Sequence, residues 1–327
     1  MEPIPRPTVP GQARTEPDDG SHLGPPGSPR RPLAAIAYGG APPGGAPLAL
    51  RVELPWLGGE APAERWTVPE EPRVSRRGAV ALAAADAVAF AVVELPAGAG
   101  DELEAAARRA FDELLAVTAG AGYPHLLRMW SVVPRINEVD GGLERYRRFC
   151  RARAEAFEAA YGAGFEWRLP ASTGVGSPRG GLVVYLLACR EPADHRENPR
   201  QVAAWAYPAC YGPRSPSFAR ASLGPAAAGG HLLISGTASI VGHASVHPGS
   251  LRHQTLETLR NLRELLAGRG APPGRPFRHL KVYLRRPGDR TAVEAELRRQ
   301  VGERTPLLFL QADLCRRELL VEIEGVA

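Results

Sequence analysis

Apolar residues recur at two different spacings along the chain, and the change in spacing predicts its elements. The segments "LAAIAYGG", "LALRVELPW" and "RRGAVALAAADAVAFAVVEL" alternate or are rich in valine, which favours β-strands. Residues 101–122 repeat apolar positions at helical spacing, with acids in the first turn and glycines at the end, which predicts a helix. A strand, a second helix and the apolar strand "GLVVYLLACRE" follow. We expect a loop at "PASTGVGSPRG", between that helix and that strand.

The same order of elements returns after about residue 200. The strand "HLLISGTASIVGH" is followed by a helix, a strand, another helix and two further strands. This repetition predicts an α+β fold with two domains, 34–198 and 199–327, each a mixed sheet with helices on one face. Residues 1–33 are rich in proline, glycine and charge and cannot repay the entropy of ordering, so we expect a disordered tail there.

Composition narrows the class of protein. A chain of 327 residues with 44% apolar residues can bury a large core. The net charge is +5, but the cations are nearly all arginines, with Lys281 the only lysine, and they do not alternate with aromatics, so nucleic-acid binding is not expected. No apolar run reaches the ~20 residues that cross a bilayer, and we expect no membrane partner. Four separated cysteines, with no CxxC pair and no N-terminal secretion signal, favour a reduced, cytoplasmic protein.

Three motifs could be mistaken for chemical sites. His243 and His247 are four residues apart, but the intervening "ASV" and the following proline and glycine disfavour the helix that would bring both onto one metal. No acid or cysteine nearby supplies a third ligand, so we expect no metal site. We expect the two histidines to form hydrogen bonds with a turn. Ser235 lacks the glycine two positions before it that a nucleophile elbow needs, and "TGVGSPRGG" lacks the strand and helix that flank a phosphate-binding loop.

Arginines are more informative. Tyr211, Arg214 and Arg220 lie in the proline-rich "CYGPRSPSFARA", and further arginines accompany a strand and a helix of the first half, namely Arg128, Arg135, Arg147 and Arg153. A guanidinium group fits a carboxylate with two parallel hydrogen bonds, so arginines converging from both halves would suit a dianionic small molecule. Solvated arginines on helix faces are the simpler interpretation for any one of them.

The last predicted strand, "LLVEIE", carries two acids. Glu322 and Glu324 point to one face of a strand, while Val321 and Ile323 point to the other. In a partly apolar cleft, desolvation would raise the pKa of one carboxyl group enough for it to deliver a proton at neutral pH. The alternative is an exposed strand face with two acids, which the spacing alone favours.

Several separate motifs, in order, resemble one family. They are "RMWSVVPRIN", "ERYRRFCRARAEAF", "PASTGVG", "ENPRQVAAWAYPACYGPRSPSFARA" and "ISGTASIVGHASVHPG". Together they are similar to the chorismatases, while "LLISGTASI" and the terminal "ELLVEIEGVA" resemble the YjgF-like (reactive-intermediate deaminase) fold. The resemblance covers nearly everything after the tail. It implies two YjgF-like, chorismate mutase-like domains and an enzyme without a cofactor that removes the enolpyruvyl side chain of chorismate as pyruvate.

The resemblance also implies roles for residues. Glu322 matches the family's catalytic acid, which protonates the enol-ether methylene. Gly236 and Cys315 are similar to the members that form 3-hydroxybenzoate, in which the ring hydroxyl displaces the pyruvyl group through an arene oxide. The resemblance therefore favours 3-hydroxybenzoate as the product. Arg220 and Arg153, assisted by a tyrosine at position 211, are the expected anchors for the two carboxylates of chorismate.

Other residues are expected to complete the substrate site. Thr237 would supply a hydrogen bond, Arg214 is a further candidate for substrate binding, and Gln254, with the two histidines, would organise the loop or touch the substrate. The alternatives are a hydrolytic chorismatase, which yields a dihydroxycyclohexadiene carboxylate and pyruvate, and a non-catalytic YjgF-like protein that binds a small carboxylate. Because an internal duplication can supply both walls of a site, we expect a monomer, whose product would feed secondary metabolism.

Overall fold

The predicted α+β class is confirmed. The computed structural model describes residues 21–42, 44–60, 62–98, 101–267 and 277–327. Its α-helices are α1 (Asp101–Gly120), α2 (Arg145–Tyr161), α3 (Leu251–Ala267) and α4 (Arg290–Val301). Within these ranges, no helix is long and apolar enough to cross a bilayer.

The strands fall into three stretches of the chain. The first stretch contains β1 (Arg31–Tyr38), β2 (Leu48–Val52), β3 (Trp56–Gly59) and β4 (Ala63–Val68). The second contains β5 (Arg73–Arg77), β6 (Val80–Ala84), β7 (Val88–Leu95), β8 (His125–Pro134), β9 (Val139–Asp140), β10 (Leu143–Glu144), β11 (Ala171–Ser177) and β12 (Leu182–Cys189). The third contains β13 (Asp194–Arg196), β14 (Ala221–Leu223), β15 (Leu232–Ala238), β16 (Ile240–Val241), β17 (Ala244–Ser245), β18 (His279–Leu284), β19 (Leu307–Gln311) and β20 (Val321–Val326).

Two large mixed sheets dominate the architecture. The first sheet has the strand order β11-β8-β12-β7-β6-β5, with β8 and β11 parallel and the other neighbours antiparallel. The second sheet has the order β13-β14-β15-β20-β18-β19-β3, with β18 and β19 parallel. Helices α1 and α2 pack on the first sheet, and α3 and α4 pack on the second, so each sheet has helices on one face, as the sequence predicts.

The inner faces of the two sheets share a core with a small third sheet of order β2-β1-β4. Alternation along β7 shows how one strand serves two cores: Ala89 and Ala91 face the helices, whereas Phe90 faces the core between the sheets. Trp66 of the small sheet packs against Trp130 of the first sheet, with ring centroids 5.8 Å apart. The result is a helix–sheet–sheet–helix arrangement in which residues of both halves of the chain meet.

One predicted loop is a strand. The segment "PASTGVGSPRG" contains β11, which pairs in parallel with β8 along its whole length. Its glycines indicate a loop by composition, yet Gly176 is needed for close packing, since a Cβ there would lie 2.3 Å from Cγ2 of Ile136. Tertiary packing against the neighbouring strand therefore overrides the local signal for a loop.

Two features of the structure bear on the predicted domain limits. Of the predicted tail, residues 1–20 lie outside the described residues, while His22 and Leu23 are buried and β1 already begins at Arg31. Residues 21–33, which the predicted tail includes, are thus among the described residues. Strand β3, from the first predicted domain, extends the second sheet by pairing with β19. The division of the chain at residue 199 stays a prediction.

Candidate active site

A cavity of about 480 Å³ lies where the two sheets meet. Its walls come from α2, β11, β15 and β20, and from the segment 207–220 that links the halves. Several of the side chains singled out from the sequence line it, namely Arg153, Tyr211, Arg220, Gly236, Cys315 and Glu322. These residues are up to 169 positions apart in the sequence (322 − 153), so only the fold brings them together.

Glu322 is a buried acid in the cavity wall. Strand β20 holds Glu322 between Ala238 of β15 and Tyr283 of β18, and Glu322 is 4% exposed. Burial, and after it the negative charge of Glu324, raise the pKa of Glu322 to about 8. Glu322 is therefore protonated at neutral pH and can act as a general acid. The alternative of two exposed acids on this strand is wrong, since Glu324 is also 4% exposed.

Glu324, two residues further on the same face, is ionised. Burial opposes its ionisation, but the positive charges of Lys281 and Arg128 outweigh burial and lower the pKa of Glu324 to about 2. Its carboxylate receives hydrogen bonds or ion pairs from five buried side chains of the described ranges: Arg128 (3.0 Å), Trp130 (2.8 Å), Thr173 (2.5 Å), Lys281 (2.8 Å) and Tyr283 (3.1 Å). We call this set of donors the Glu324 cage.

Gly236 gives the Glu322 carboxyl group the space that it occupies. Strand β15 has a bulge here, because Ser235 and Gly236 stand opposite the single residue Glu324 of β20. A Cβ at position 236 would lie 2.1 Å from Oε1 of Glu322 and 3.0 Å from Cγ2 of Thr173. The backbone N–H of Gly236 donates to Oγ1 of Thr173 at 2.9 Å, which ties the bulge to the Glu324 cage. A larger residue would displace the acid.

Cys315 carries a thiol that keeps its proton. Burial raises the pKa of Cys315 to about 12, and the neighbouring charge of Glu322 contributes in the same direction. A thiol with this pKa is a weak hydrogen-bond donor and a poor nucleophile near neutral pH. The geometry therefore suits a thiol that contacts a bound molecule beside Glu322 rather than one that attacks it.

Arg153 and Arg220 supply buried positive charge to the cavity. They are 2% and 4% exposed, and their guanidinium carbons lie 5.9 and 5.1 Å from the ring centroid of Phe218. Within the described part of the chain, Nε of each arginine is buried and lacks a hydrogen-bond partner. Glu197 is the nearest acid to Arg220, with 3.8 Å between Oε2 and Nε. Unsatisfied N–H groups on two cations are suited to anionic oxygens of a ligand.

Tyr211 lies in the cavity wall beside Arg316, a residue that the sequence did not single out. The guanidinium group of Arg316 lies over the ring of Tyr211, 4.0 Å from its centroid, and Oγ of Ser245 accepts a hydrogen bond from Arg316 at 3.0 Å. Tyr207 and Tyr146 also line the cavity. Arg316 could have been found from the sequence, because it directly follows the candidate residue Cys315. Nothing in the local pattern distinguishes Tyr207 and Tyr146 from other tyrosines.

Three predicted substrate contacts are not in the cavity wall. Thr237 faces away because Gly236 and Ala238 face inward, and its hydroxyl donates to the Ser235 carbonyl at 2.8 Å. Arg214 is partly exposed and pairs with Glu158 at 2.9 Å. The amide of Gln254 is fully used by backbone groups: it donates to His247 O (3.2 Å) and Glu318 O (2.9 Å) and accepts from Leu320 N (2.8 Å). Gln254 therefore organises the loop, one of its two predicted roles.

The histidines and Ser235 hold local structure. His243 shares a hydrogen bond with the Tyr211 hydroxyl at 3.2 Å, and His247 lies 3.5 Å from the Glu257 carboxylate. The Ser235 hydroxyl donates to the Ala219 carbonyl at 2.5 Å. Each of these groups has a partner in the protein, but the two histidine side chains contact Tyr211 and Glu257 rather than the turn to which they were predicted to bond.

Comparison with known proteins gives the family. Residues 64–188 match the model of the family "Chorismatase FkbO/Hyg5-like, N-terminal". A "3-hydroxybenzoate synthase" of Streptomyces hygroscopicus is 42% identical over 235 residues, which is 68% of this chain and 68% of that protein. A "Chorismatase" of the same organism is 36% identical over 278 residues, 82% of this chain and 79% of that protein. The chain belongs to the chorismatase family.

The fold agrees with that of a solved chorismatase. The crystal structure of a chorismatase determined at 1.08 Å resolution superposes with a TM-score of 0.81 at 33% sequence identity, covering 93% of this chain and 97% of the other. The similarity therefore extends well beyond the matched N-terminal segment, 64–188, into the second half of the chain.

Proposed function

We propose that this chorismatase converts chorismate into 3-hydroxybenzoate and pyruvate. The observation that carries the proposal is the pair of buried glutamates on β20: Glu322 is protonated in the cavity wall, and Glu324 is ionised beside it. The relation to a 3-hydroxybenzoate synthase, at 42% identity, supports the choice of product. Gly236 and Cys315, which the family resemblance associates with that product, both lie in the cavity wall.

The first step uses the proton of Glu322. The enol-ether double bond of chorismate takes this proton at its methylene carbon, which becomes a methyl group, and the adjacent carbon becomes a carboxonium centre. The electron pair left on Glu322 makes it a carboxylate next to the cationic intermediate, which it stabilises. Arg153 and Arg220 bind the carboxylates of the substrate through their free Nε–H groups.

The second step releases pyruvate without water. The oxygen of the ring hydroxyl attacks the neighbouring ring carbon, the bond from that carbon to the enolpyruvyl oxygen breaks, and its electron pair forms the keto group of pyruvate. The hydroxyl proton returns to Glu322, and the ring carries an epoxide. In the last step the epoxide opens, one ring carbon loses a proton, and the oxygen gains one, which gives 3-hydroxybenzoate. In this proposal the thiol of Cys315, in the cavity wall, donates a hydrogen bond to the epoxide oxygen.

No step of this sequence needs a redox group or a metal, since Glu322 both gives and recovers the proton. We therefore propose a cofactor-independent lyase. The four cysteines are free, which suits a reducing compartment such as the cytoplasm. Both walls of the cavity come from one chain, which supports a monomer, and light scattering on the purified protein tests that state. A phenolic acid of this kind is a starting unit for secondary metabolites.

The experiment is incubation of the purified protein with chorismate and separation of the products by liquid chromatography with mass detection. We expect equal amounts of pyruvate and 3-hydroxybenzoate, with no ¹⁸O in either product when the reaction runs in H₂¹⁸O and is analysed before pyruvate exchanges its keto oxygen. A dihydroxycyclohexadiene carboxylate with pyruvate would retain the family and contradict the product. Unchanged chorismate would favour the binding-protein alternative.

A further inference from the structure

One serine of the cavity wall, Ser172, has a hydroxyl group without a hydrogen-bond partner among the described residues. It lies near the start of β11, is 4% exposed, and belongs to the residues that line the cavity. Within the described residues its buried Oγ has no hydrogen-bond partner. Its backbone is held in place, because the Ser172 N–H donates to Oγ of Ser235 at 2.8 Å and the N–H of Ala171 donates to Oγ of Ser222 at 2.7 Å. The backbone of Ser172 is therefore fixed, and its hydroxyl group keeps an unused donor and acceptor.

Successive residues of β11 point to opposite sides of the strand and have different partners. Ser172 and Gly174 line the cavity, whereas the hydroxyl of Thr173, between them, donates to Glu324 in the cage. The strand that stabilises the ionised glutamate therefore also presents Ser172 to whatever occupies the cavity next to Glu322.

The chemistry of the free polar groups in the cavity wall indicates what each binds. An unpaired buried polar group destabilises a protein, so such groups in a cavity wall are suited to ligand atoms. Arg153 and Arg220 each offer a cationic N–H, which suits a carboxylate. Ser172 offers a neutral hydroxyl that can both donate and accept, which suits a neutral hydroxyl of the ligand.

We propose that Ser172 hydrogen-bonds the ring hydroxyl of the substrate and orients it for the displacement that forms the epoxide. This inference rests on the proposed function, because the ring hydroxyl is the internal nucleophile of that reaction. With its hydroxyl held by Ser172, the substrate reacts internally. Without that hydrogen bond the hydroxyl rotates away, and water adds to the carboxonium carbon instead. The resulting hemiketal then breaks its bond to the ring oxygen and gives pyruvate and the dihydroxycyclohexadiene carboxylate.

The test is the product ratio of Ser172→Ala with Ser177→Ala as the matched control. Ser177 lies on the same strand, is 1% exposed, and also has a buried hydroxyl without a partner in the described part of the chain, but it does not line the cavity. We expect Ser172→Ala to lower the ratio of 3-hydroxybenzoate to the dihydroxy product by about tenfold, the size of one lost hydrogen bond. Ser177→Ala should keep the wild-type ratio.

A second measurement does not depend on turnover, and its first comparison, made on Glu322→Gln alone, does not depend on the folding of Ser172→Ala. In the Glu322→Gln variant, a chorismate analogue without the ring hydroxyl should bind about tenfold more weakly than chorismate, and adding Ser172→Ala should remove that difference. Equal binding of both ligands to Glu322→Gln, or a product ratio that Ser172→Ala leaves at the wild-type value, would overturn the role of Ser172. Wild-type protein that forms no 3-hydroxybenzoate would instead overturn the proposed function.

Discussion

Glu322 and Glu324 lie two residues apart on one face of β20 and are equally buried, at 4% exposure each, yet their pKa values are about 8 and about 2. Burial alone would raise both values. The difference comes from the donors: Glu324 is surrounded by two cations, an indole N–H and two hydroxyl groups, whereas Glu322 faces the cavity. Charge compensation, rather than depth, decides which acid keeps its proton.

Lys281 is central to this difference. The only lysine of the chain is fully buried and lies 2.8 Å from Glu324 and 2.7 Å from Glu64 of the small sheet. Burial opposes its charge, but the two carboxylates outweigh burial and raise the pKa of Lys281. The tyrosine hydroxyl of Tyr38 accepts a hydrogen bond from it at 3.1 Å. Lys281 thus joins the small sheet to the cage and holds Glu324 ionised beside Glu322.

The largest effect on activity is expected when the acid itself, Glu322, is replaced. Glu322→Gln is nearly isosteric but has no proton of suitable acidity, so kcat/KM for pyruvate release should fall by about 10³-fold. Coupled detection of pyruvate measures it. Glu303→Gln, at an exposed position, is the control and should retain wild-type activity. A Glu322→Gln variant with more than a tenth of wild-type activity would show that another group delivers the proton.

Breaking the cage should destabilise the whole protein. Lys281→Met leaves Glu324 and Glu64 without their shared cation, and removing one partner of a buried ion pair costs about 3 kcal/mol or more. Urea unfolding followed by circular dichroism measures this loss. Arg286→Met removes the exposed pair with Asp289 and should change the free energy of unfolding by less than about 1 kcal/mol. Equal effects of the two variants would contradict the role of the cage.

Crowding the acid should affect catalysis more than stability. The added methyl group in Gly236→Ala meets Oε1 of Glu322, and a displacement of the acid by about 1 Å is expected to lower kcat by about 100-fold. Gly288→Ala is the control, because a Cβ there meets no atom within 4 Å. If Gly236→Ala retained wild-type kcat, the position of the Glu322 carboxyl group would not be critical.

The smallest effect is a shift in the pH profile. The active form of Glu322 is protonated, so kcat/KM should be constant below about pH 8 and fall as the pH rises through that value. Glu324→Gln removes a negative charge that raises the pKa of Glu322, so its alkaline limb should move to lower pH. Initial rates from pH 6 to 10 test this shift. A limb that stays in place would mean that Glu324 does not act on the acid.

Much of this arrangement follows from local sequence. The order of the helices and most strands, the shared face of the two glutamates and the arginines of the linking segment were predictable, because alternation and helical spacing depend on near neighbours. The strand β11 was not, since Gly174 and Gly176 indicate a loop until the packing partner is known. The prediction that Thr237 binds the substrate was wrong about its direction. The bulge at Gly236 decides which side chains of β15 point into the cavity, and the local sequence carries no signal for that bulge.

The sequence by itself determined an α+β fold, two acids on one face of the last strand and the set of residues that resembles the chorismatases. Only the tertiary structure decided which acid holds the proton. The donors that ionise Glu324 come from positions 128, 173 and 281, far from it in sequence, and the cavity beside Glu322 forms where the two sheets meet. Desolvation and Coulomb interactions depend on distances in space, so spacing along the chain cannot supply them.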